Sequence, residues 1–208
     1  MRLPSLPRLL GRVLLGVGFA GFLGGFILGG SAYIPVGMAL PLVAIQSWQV
    51  DSSGHIYLAL GFYSRVQQYD SHGRFLRGWP VPTEGGPISL ATADPGEIAV
   101  YAQRPRRRFL YDTTGTPLGS MENEHFPEDN VDTRPWVAGG ELELQRGLLW
   151  PQVLHRRPDG TQVALIQPSL PSWFFGAPVP VAGFALAGAL LLSWSNDPKR
   201  RRPPTAAT

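Results

Sequence analysis

The chain has no cysteine among its 208 residues. This excludes disulfide bonds, cysteine-ligated zinc and thiol catalysis, although it leaves the redox compartment open. Lysine is almost absent as well, with Lys199 alone among 18 basic residues, and histidine is limited to His55, His72, His125 and His155. No metal pair on a helix, phosphate-binding glycine loop or Ser–His–Asp spacing is present. We therefore expect a protein that is not an enzyme and that has no cofactor.

Charged residues are missing from two long segments, Val13 to Ile45 and Trp173 to Trp194. About 20 apolar residues are enough to cross the hydrocarbon core of a membrane. We therefore predict transmembrane helices at residues 13–34 and 173–194. The first segment also fits a cleaved signal peptide, with "GSA" at residues 30–32 as its cleavage site, but its length favours a retained anchor.

Basic residues flank both apolar segments on their outer sides, and short basic flanks stay in the cytoplasm. The tails at residues 1–12 and 195–208 are therefore predicted to be cytoplasmic, in a plasma (inner) membrane of a bacterium. Residues 35–172 are then predicted to lie outside the cytoplasm. The basic residues of the tails do not share one folded face, so we expect no nucleic acid partner. They are Arg2, Arg8, Arg12, Lys199, Arg200, Arg201 and Arg202.

Small residues recur at every fourth position in both apolar segments. Gly21, Gly25 and Gly29 lie on one face of the first predicted helix, and Gly183 and Ala187 offer a shorter ridge on the second. Such ridges allow two membrane helices to approach closely. We predict helix packing through them, within the chain or between chains.

The middle of the chain contains a repeat. The Asp–Gly turns place Gly73, Gly115 and Gly160 42 and 45 residues apart. An earlier turn in each repeat contains Gly54, Gly96 and Gly140, which are 42 and 44 residues apart. Two sets of turn glycines share one period of about 43 residues. This predicts three similar units, at about residues 42–83, 86–126 and 134–168. The aspartates of these turns are Asp51, Asp70, Asp94, Asp112 and Asp159.

The first unit, "VDSSGHIYLALGFYSRVQQYDSHGRFLRGW", resembles an NHL repeat. The family pattern has a Val-Asp-x-x-Gly-x-Ile-Tyr strand followed by Arg-Val and an Asp-x-x-Gly turn. The matching residues are Val50, Asp51, Gly54, Ile56, Tyr57, Arg65, Val66, Asp70 and Gly73. The second unit matches less well, and the third keeps only its turns. The resemblance implies four-stranded blades of a β-propeller that present loops to partners.

The expected fold is therefore two transmembrane α-helices flanking an all-β domain of three propeller-blade-like antiparallel units. Propellers close with four to eight blades, so three blades leave open edges. The sequence is compatible with an open fan, with half of a six-bladed ring closed by a second copy, and with another β fold.

Two charged clusters were considered as binding sites. An acidic segment between the second and third units could hold a cation through carboxylate oxygens, but its spacing favours a solvated linker. Its residues are Glu122, Glu124, Glu128, Asp129 and Asp132. A basic turn with Arg104, Arg106, Arg107 and Arg108 could bind anionic lipid or a wall polymer, but it also fits an exposed turn that discourages edge pairing. Phe62 and Tyr63 are weaker candidates for an exposed contact.

The function expected from these features is membrane-anchored binding or scaffolding, with the β domain contacting a protein partner or a second copy. An alternative is a small accessory subunit of a larger membrane complex. An enzyme of the propeller type is less favoured, because such enzymes use a polar cluster in the channel of a complete ring.

Overall fold

The computed structural model describes residues 6–30, 34–93, 95–123, 125–127, 136–137, 139–147, 150–170 and 178–196. Helix α1 spans Leu6–Gly30 and helix α2 spans Pro178–Asn196, with a mostly β segment between them. The chain divides into two compact units, residues 1–26 with 174–208 and residues 27–173. Two helices flanking antiparallel sheets confirm the coarse fold class. Pro7 lies in the first described turn of α1, where its missing N–H is tolerated.

Three four-stranded antiparallel sheets make up the β domain. Sheet I contains β1 (Ile45–Val50), β2 (Ile56–Leu60), β3 (Arg65–Tyr69) and β4 (Phe75–Pro80). Sheet II contains β5 (Ile88–Thr92), β6 (Glu97–Ala102), β7 (Arg107–Asp112) and β8 (Pro117–Glu122). Sheet III contains β9 (Trp136–Val137), β10 (Gly140–Gln145), β11 (Gln152–Arg156) and β12 (Gln162–Ile166). In each sheet, strands that follow one another in the sequence are hydrogen-bonded neighbours.

The repeat is visible in the strand registers. Val66 pairs with Trp79 in sheet I, Arg108 pairs with Met121 in sheet II, and Val153 pairs with Ile166 in sheet III. These pairs occupy one position of the repeat, on the face that we call the forward face of each sheet. The opposite face is called the rear face. In sheet I the rear face carries Ile56, which pairs with Tyr69 across β2 and β3.

Sheet I packs its forward face against the rear face of sheet II. Tyr57, Val66 and Trp79 of sheet I form one buried cluster with Ile98 and Val100 of sheet II. The indole of Trp79 lies edge-on to Tyr57, with ring centroids 6.2 Å apart. This cluster fixes sheet II beside sheet I.

The turn glycines reveal the order of the sheets in space. Gly115, in the β7–β8 turn of sheet II, lies against Trp79 of sheet I, where an added methyl group would be 2.5 Å from the indole Cε3. Gly73 is the equivalent glycine of sheet I, and a methyl group there would overlap the carbonyl oxygen of Leu165 in sheet III. Sheet III therefore lies on the rear side of sheet I, and the spatial order is III–I–II rather than I–II–III.

The segment before β1 covers the rest of the rear face of sheet I. The buried guanidinium of Arg65 donates to the carbonyl oxygens of Ile34 (3.2 Å), Pro35 (2.8 Å) and Gly78 (2.7 Å). The buried amide of Gln67 exchanges two hydrogen bonds with the backbone of Leu40, at 3.2 and 3.1 Å. A buried cation needs compensating acceptors, and here backbone carbonyls supply them. These contacts fasten residues 34–44 to sheet I.

Both connections to the helices join the β domain at the same end. Ile34 is bound next to Arg65, at the start of β3, and β12 ends at Ile166 opposite Val153, near the start of β11. The starts of β1 and β5 lie at this end too, because β1 follows the segment that β3 holds and Ile88 is bonded to Gln46. We call it the helix-side end, and the Asp–Gly turns lie at the opposite, distal end.

Candidate interaction surfaces

The first repeat turn contains a hydrogen-bonded polar network. Asp51 Oδ1 accepts the backbone N–H groups of Ser53 and His55, both at 2.9 Å. Its Oδ2 lies 2.9 Å from His55 Nδ1 and accepts the hydroxyl of Tyr57 at 2.9 Å. Gln68 Nε2 donates to the same hydroxyl at 3.0 Å. Burial raises the pKa of Asp51, but the hydrogen bonds from His55 and Tyr57 outweigh it and hold the pKa below its ordinary value.

The network closes the hairpin between β1 and β2. Burial and the neighbouring carboxylate of Asp51 both raise the pKa of Tyr57, so its hydroxyl remains a donor at neutral pH. A cleft of about 370 Å³ lies beside it, lined by Asp51, Thr92, Glu97 and Thr113 among others. His72 lies in a different turn, where its ring contacts Ser71.

The remaining Asp–Gly turns use one carboxylate oxygen in the same way. Asp70 Oδ1 accepts from the N–H groups of His72 and Arg74, and Asp112 Oδ1 accepts from those of Thr114 and Thr116. The turn glycines have left-handed backbone, which favours glycine, at Gly54, Gly73, Gly96, Gly115, Gly139 and Gly160. In the third unit the left-handed glycine is Gly139, one residue before the predicted Gly140. Asp159 accepts from Thr161 at 2.8 Å, and Asp94 lies outside the described residues.

Side chains of one sheet bind the backbone of the next around the centre of the β domain. Gln46 Oε1 accepts the N–H of Ile88 at 2.8 Å, and Ser47 Oγ accepts the N–H of Leu90 at 3.0 Å. Arg146, which follows β10, donates to the carbonyl oxygen of Gln46 at 2.8 Å. These bonds join β1 to β5 and sheet III to β1. Sequence reasoning missed them because they link strands that are distant in the sequence.

A cleft of about 570 Å³ opens at the helix-side end, where these connections meet. Its walls combine the polar side chains of Gln46, Gln103 and Arg146 with the apolar side chains of Ile88 and Phe126. Clefts with apolar walls and a few convergent polar groups are the usual form of binding sites. All three sheets or their connections contribute to it, so its shape depends on the III–I–II order.

The basic turn at residues 104–108 lies at the same end. Arg104 donates to the carbonyl oxygen of Glu84 at 2.9 Å and packs on Gly86. Arg106 and Arg107 are exposed, whereas Arg108 is half-buried with its guanidinium 5.7 Å from the centroid of the Tyr101 ring. The four arginines therefore do not form one patch, because Arg108 turns onto the forward face of sheet II.

Two other predicted sites are only partly described. Glu122 is exposed at the end of β8, while Glu124, Glu128, Asp129 and Asp132 lie outside the described residues. Within the described residues, no group of three or more acidic or histidine side chains could hold a metal ion. The expectation of an exposed aromatic pair is wrong for Tyr63, which is buried with its ring edge-on to the 36 % exposed Phe62. The 3-10 turn Gly61–Tyr63 folds Tyr63 inward.

The two helices pack antiparallel through small residues. A methyl group on Gly18 would lie 2.7 Å from Ala185 Cα, and one on Gly188 would lie 2.7 Å from the carbonyl oxygen of Gly11. Gly21 contacts Val181, and Arg8 donates to the carbonyl oxygen of Ser195 at 3.2 Å. The contact includes Gly21 of the predicted ridge, and its other glycines on α1, Gly11 and Gly18, follow a heptad spacing.

The predicted ridge on α2 lies away from the described part of α1. Gly183 has no described atom within 4 Å of an added methyl group, and Ala187 is exposed. Gly183 and Ala187 face away from α1 because Val181, Ala185 and Gly188 lie on the side of α2 that contacts it. Gly25 and Gly29 are in α1, but their contacts lie outside what the structure describes. Packing between chains through Gly183 and Ala187 stays a prediction.

No model of a known protein family matches this chain, and no curated protein matches it. Several solved structures match at low identity. A streptogramin B lyase is 14 % identical with a TM-score of 0.36, over 67 % of this chain and 48 % of that one. A virginiamycin B lyase from Staphylococcus aureus is 10 % identical with a TM-score of 0.34, over 65 % and 45 %. A protein of unknown function from Bacteroides caccae is 13 % identical with a TM-score of 0.32, over 58 % and 48 %.

This chain spans about half the length of each of those proteins. At these TM-scores the likeness carries no argument about the fold or the activity of this chain. No family model supports the resemblance of the first unit to an NHL repeat. The fold of this chain therefore rests on its own registers and sheet contacts.

Proposed function

We propose that this chain is a membrane-anchored binding or scaffolding protein. Helices α1 and α2 span the membrane with both termini in the cytoplasm, and the β domain lies outside the cytoplasm, where it binds a protein partner. One observation carries the anchoring. The helix pair places glycines at its contact and large apolar side chains, such as Phe19, Phe22 and Leu190, on its outer surface.

That arrangement is the reverse of a helix pair in a water-soluble protein, which buries its large apolar side chains. In lipid, small residues allow close packing while large apolar ones face the acyl chains. Among the described residues, α1 is long and apolar enough to cross a membrane over Leu6–Gly24, and α2 contributes a shorter apolar stretch, Val181–Asn196. The basic tails support cytoplasmic termini.

The absence of cysteine makes the orientation directly measurable. We expect His72→Cys, in an exposed distal turn, to react with a membrane-impermeant maleimide in intact spheroplasts. Thr208→Cys should react only after lysis, and both variants should remain in the membrane fraction after alkaline carbonate extraction. A His72→Cys that is protected in intact spheroplasts would overturn the orientation, and carbonate-soluble protein would overturn the anchoring.

The partner site is proposed at the helix-side cleft, because three sheets build it from polar and apolar groups. A photo-crosslinking amino acid at Gln103, which is exposed in the cleft wall, should give a discrete adduct in native membranes. The same amino acid at Ser120, exposed on β8, is the matched control and should give none. Equal adducts at both positions, or none at either, would contradict a partner at this cleft.

A second candidate is an accessory subunit that docks through its helices. It is favoured by small residues that face outward from the pair: Gly16 and Gly183 have no described atom within 4 Å of an added methyl group. Gly183→Leu should then release the chain from a larger complex in blue-native electrophoresis. An unchanged complex size would rule out docking through this surface.

A further inference from the structure

The β domain is open at both ends of its III–I–II order. Sheet I is covered on both faces, but sheet II shows its forward face and sheet III its rear face. We infer that these two faces bind each other between two copies of the chain, so that six sheets close one ring in the order III–I–II–III–I–II. This inference goes beyond the proposed function and does not depend on the partner cleft.

Equivalent positions differ sharply in exposure. Trp79 on the forward face of sheet I is 3 % exposed, because the turn of Gly115 and the rear face of sheet II cover it. Met121 occupies the same register position in sheet II and is 47 % exposed. Tyr101, Arg108 and Leu110, on the same face, are only half-buried. The forward face of sheet II therefore carries large side chains suited to packing, but no described sheet packs on it.

The complementary half of the contact is found on sheet III. Gly73 and Gly115 each pack on the last strand of the preceding sheet, whereas Gly160, the third glycine of the set, has no described atom within 4 Å of an added methyl group. Its backbone has the same left-handed conformation, with φ of +83°. The rear side of sheet III thus presents the same kind of turn that the forward faces of sheets I and III receive inside the chain, and the forward face of sheet II is the one left to receive it.

Two buried polar atoms point to the missing sheet. Ser47 Oγ accepts an N–H of the next inner strand, and Ser89 is its equivalent in sheet II, opposite Tyr101 as Ser47 is opposite Ala59. Ser89 is 0 % exposed, and its Oγ has no hydrogen-bond partner among the described residues. The Nε of Arg108 is buried without a partner as well. Such atoms are costly to leave unpaired, and both lie on the side where a further sheet would pack.

Charge also distinguishes this contact from the two inside the chain. Rear-face positions that hold Ile56 and Leu58 in sheet I hold Glu141 and Glu143 in sheet III. The forward-face position of Val66 holds Arg108 in sheet II. Glu143 is 3.5 Å from Arg156 on its own sheet, so the rear face of sheet III carries one negative charge in excess. Opposite charges on two faces that meet favour the correct pairing of those faces.

Ring closure sets the number of copies and their orientation. Propellers close with four to eight blades, so two copies supply a six-bladed ring, whereas one copy supplies only three. A head-to-tail contact that closes after two copies has two-fold symmetry. Sheets of a propeller share one direction about the axis, so the helix-side ends of both copies face the same way. This allows both chains to be anchored in one membrane.

The test uses the full-length chain in detergent, since the chain has no native cysteine. Two differently tagged single variants, Met121→Cys and Thr161→Cys, are co-expressed. Mild oxidation should join them into a mixed disulfide dimer. Ser120→Cys is on the opposite face of β8 and replaces Met121→Cys as the control, which should not crosslink. A double Met121→Cys, Thr161→Cys chain that forms only an internal bond would show closure within one chain and overturn the proposal.

Light scattering supplies the second readout. The wild type should have a protein mass twice the 22.7 kDa of one chain. Met121→Asp should raise the dissociation constant at least tenfold, and the matched Ser120→Asp should not change it. Arg108→Glu should weaken the dimer, and the added Glu141→Arg should restore it. A single-chain mass for the folded wild type, or equal effects of Met121→Asp and Ser120→Asp, would refute the ring, because helix-mediated pairing does not distinguish these faces.

Discussion

Replacing single turn glycines with alanine tests the order of the sheets. Gly73, Gly115 and Gly160 have nearly the same left-handed backbone, with φ of +76°, +82° and +83°. Alanine in this conformation costs roughly 1–2 kcal/mol at any of them. The packing differs, because a methyl group would overlap Leu165 at Gly73 and Trp79 at Gly115 but would meet no described atom at Gly160.

The overlap adds a second cost at two of the three positions. Overpacking a well-filled contact typically costs about 1–3 kcal/mol. Trp79 cannot turn aside, since its ring is held between Tyr57 and Tyr111, with centroids 6.2 and 5.8 Å away. We therefore expect Gly73→Ala and Gly115→Ala to lower the free energy of unfolding by about 2–5 kcal/mol, and Gly160→Ala by about 1–2 kcal/mol.

Thermal unfolding followed by circular dichroism measures the difference. For a chain of this size, each kcal/mol shifts Tm by roughly 2–4 °C. The three variants are compared in the Met121→Asp background, so that a second copy does not cover Gly160. The order III–I–II predicts the largest loss at Gly73 and Gly115. If Gly160→Ala costs as much as the other two in the single chain, sheet III packs by its rear face and the order is wrong.

Three further predictions follow from single contacts. Arg65→Ala should leave the carbonyl oxygens that Arg65 binds unpaired and lower the free energy of unfolding by about 3 kcal/mol. It should also make residues 34–44 sensitive to limited proteolysis. The exposed Arg74→Ala is the control and should change neither the stability nor the proteolysis. The folded pKa of Asp51 is lowered, so its stabilisation is present above the ordinary value of 3.8 and is lost as the pH falls through the folded value. Asp51→Asn should therefore be less stable at neutral pH and flatter in acid titrations of unfolding, and an unchanged acid slope would contradict this. Gly18→Leu should separate the helices and abolish an Arg8→Cys–Ser195→Cys disulfide that Gly16→Leu preserves.

Local patterns in the sequence were sufficient to place the three sheets. The turns of Asp70 and Asp112 are defined within about six residues, because each carboxylate binds backbone N–H groups two and four residues on. The two apolar segments were equally clear from composition. The contact between the two helices could not be predicted in this way, because the spacing of small residues on one helix does not specify which of its faces meets the other helix. Gly11, Gly18 and Gly188 carry it instead of the pair Gly183 and Ala187.

The order of the sheets was beyond local patterns, because it depends on contacts between residues about 90 positions apart. Gly73 contacts Leu165. No short-range pattern in the sequence predicts that sheet III packs on the rear face of sheet I instead of next to sheet II. The helix-side cleft could not be predicted for the same reason, because Gln46 and Arg146, which line it, are 100 positions apart in the sequence. A usable signal was present in the third unit, where Glu141 and Glu143 replace the apolar residues that a fully covered face requires.

The position of each sheet explains why the resemblance to a propeller repeat fades along the chain. Sheet I lies in the middle of the order, so both of its faces are buried and its alternating residues must be apolar or internally bonded, as Ile56, Tyr57 and Gln67 are. Sheets II and III each have one face free of such packing within the chain. There, Arg108 and Glu143 are tolerated, and β8 is exposed along its length. Faces that met only in a two-copy ring would be expected to keep this mixed polar composition, because they face water until two copies pair.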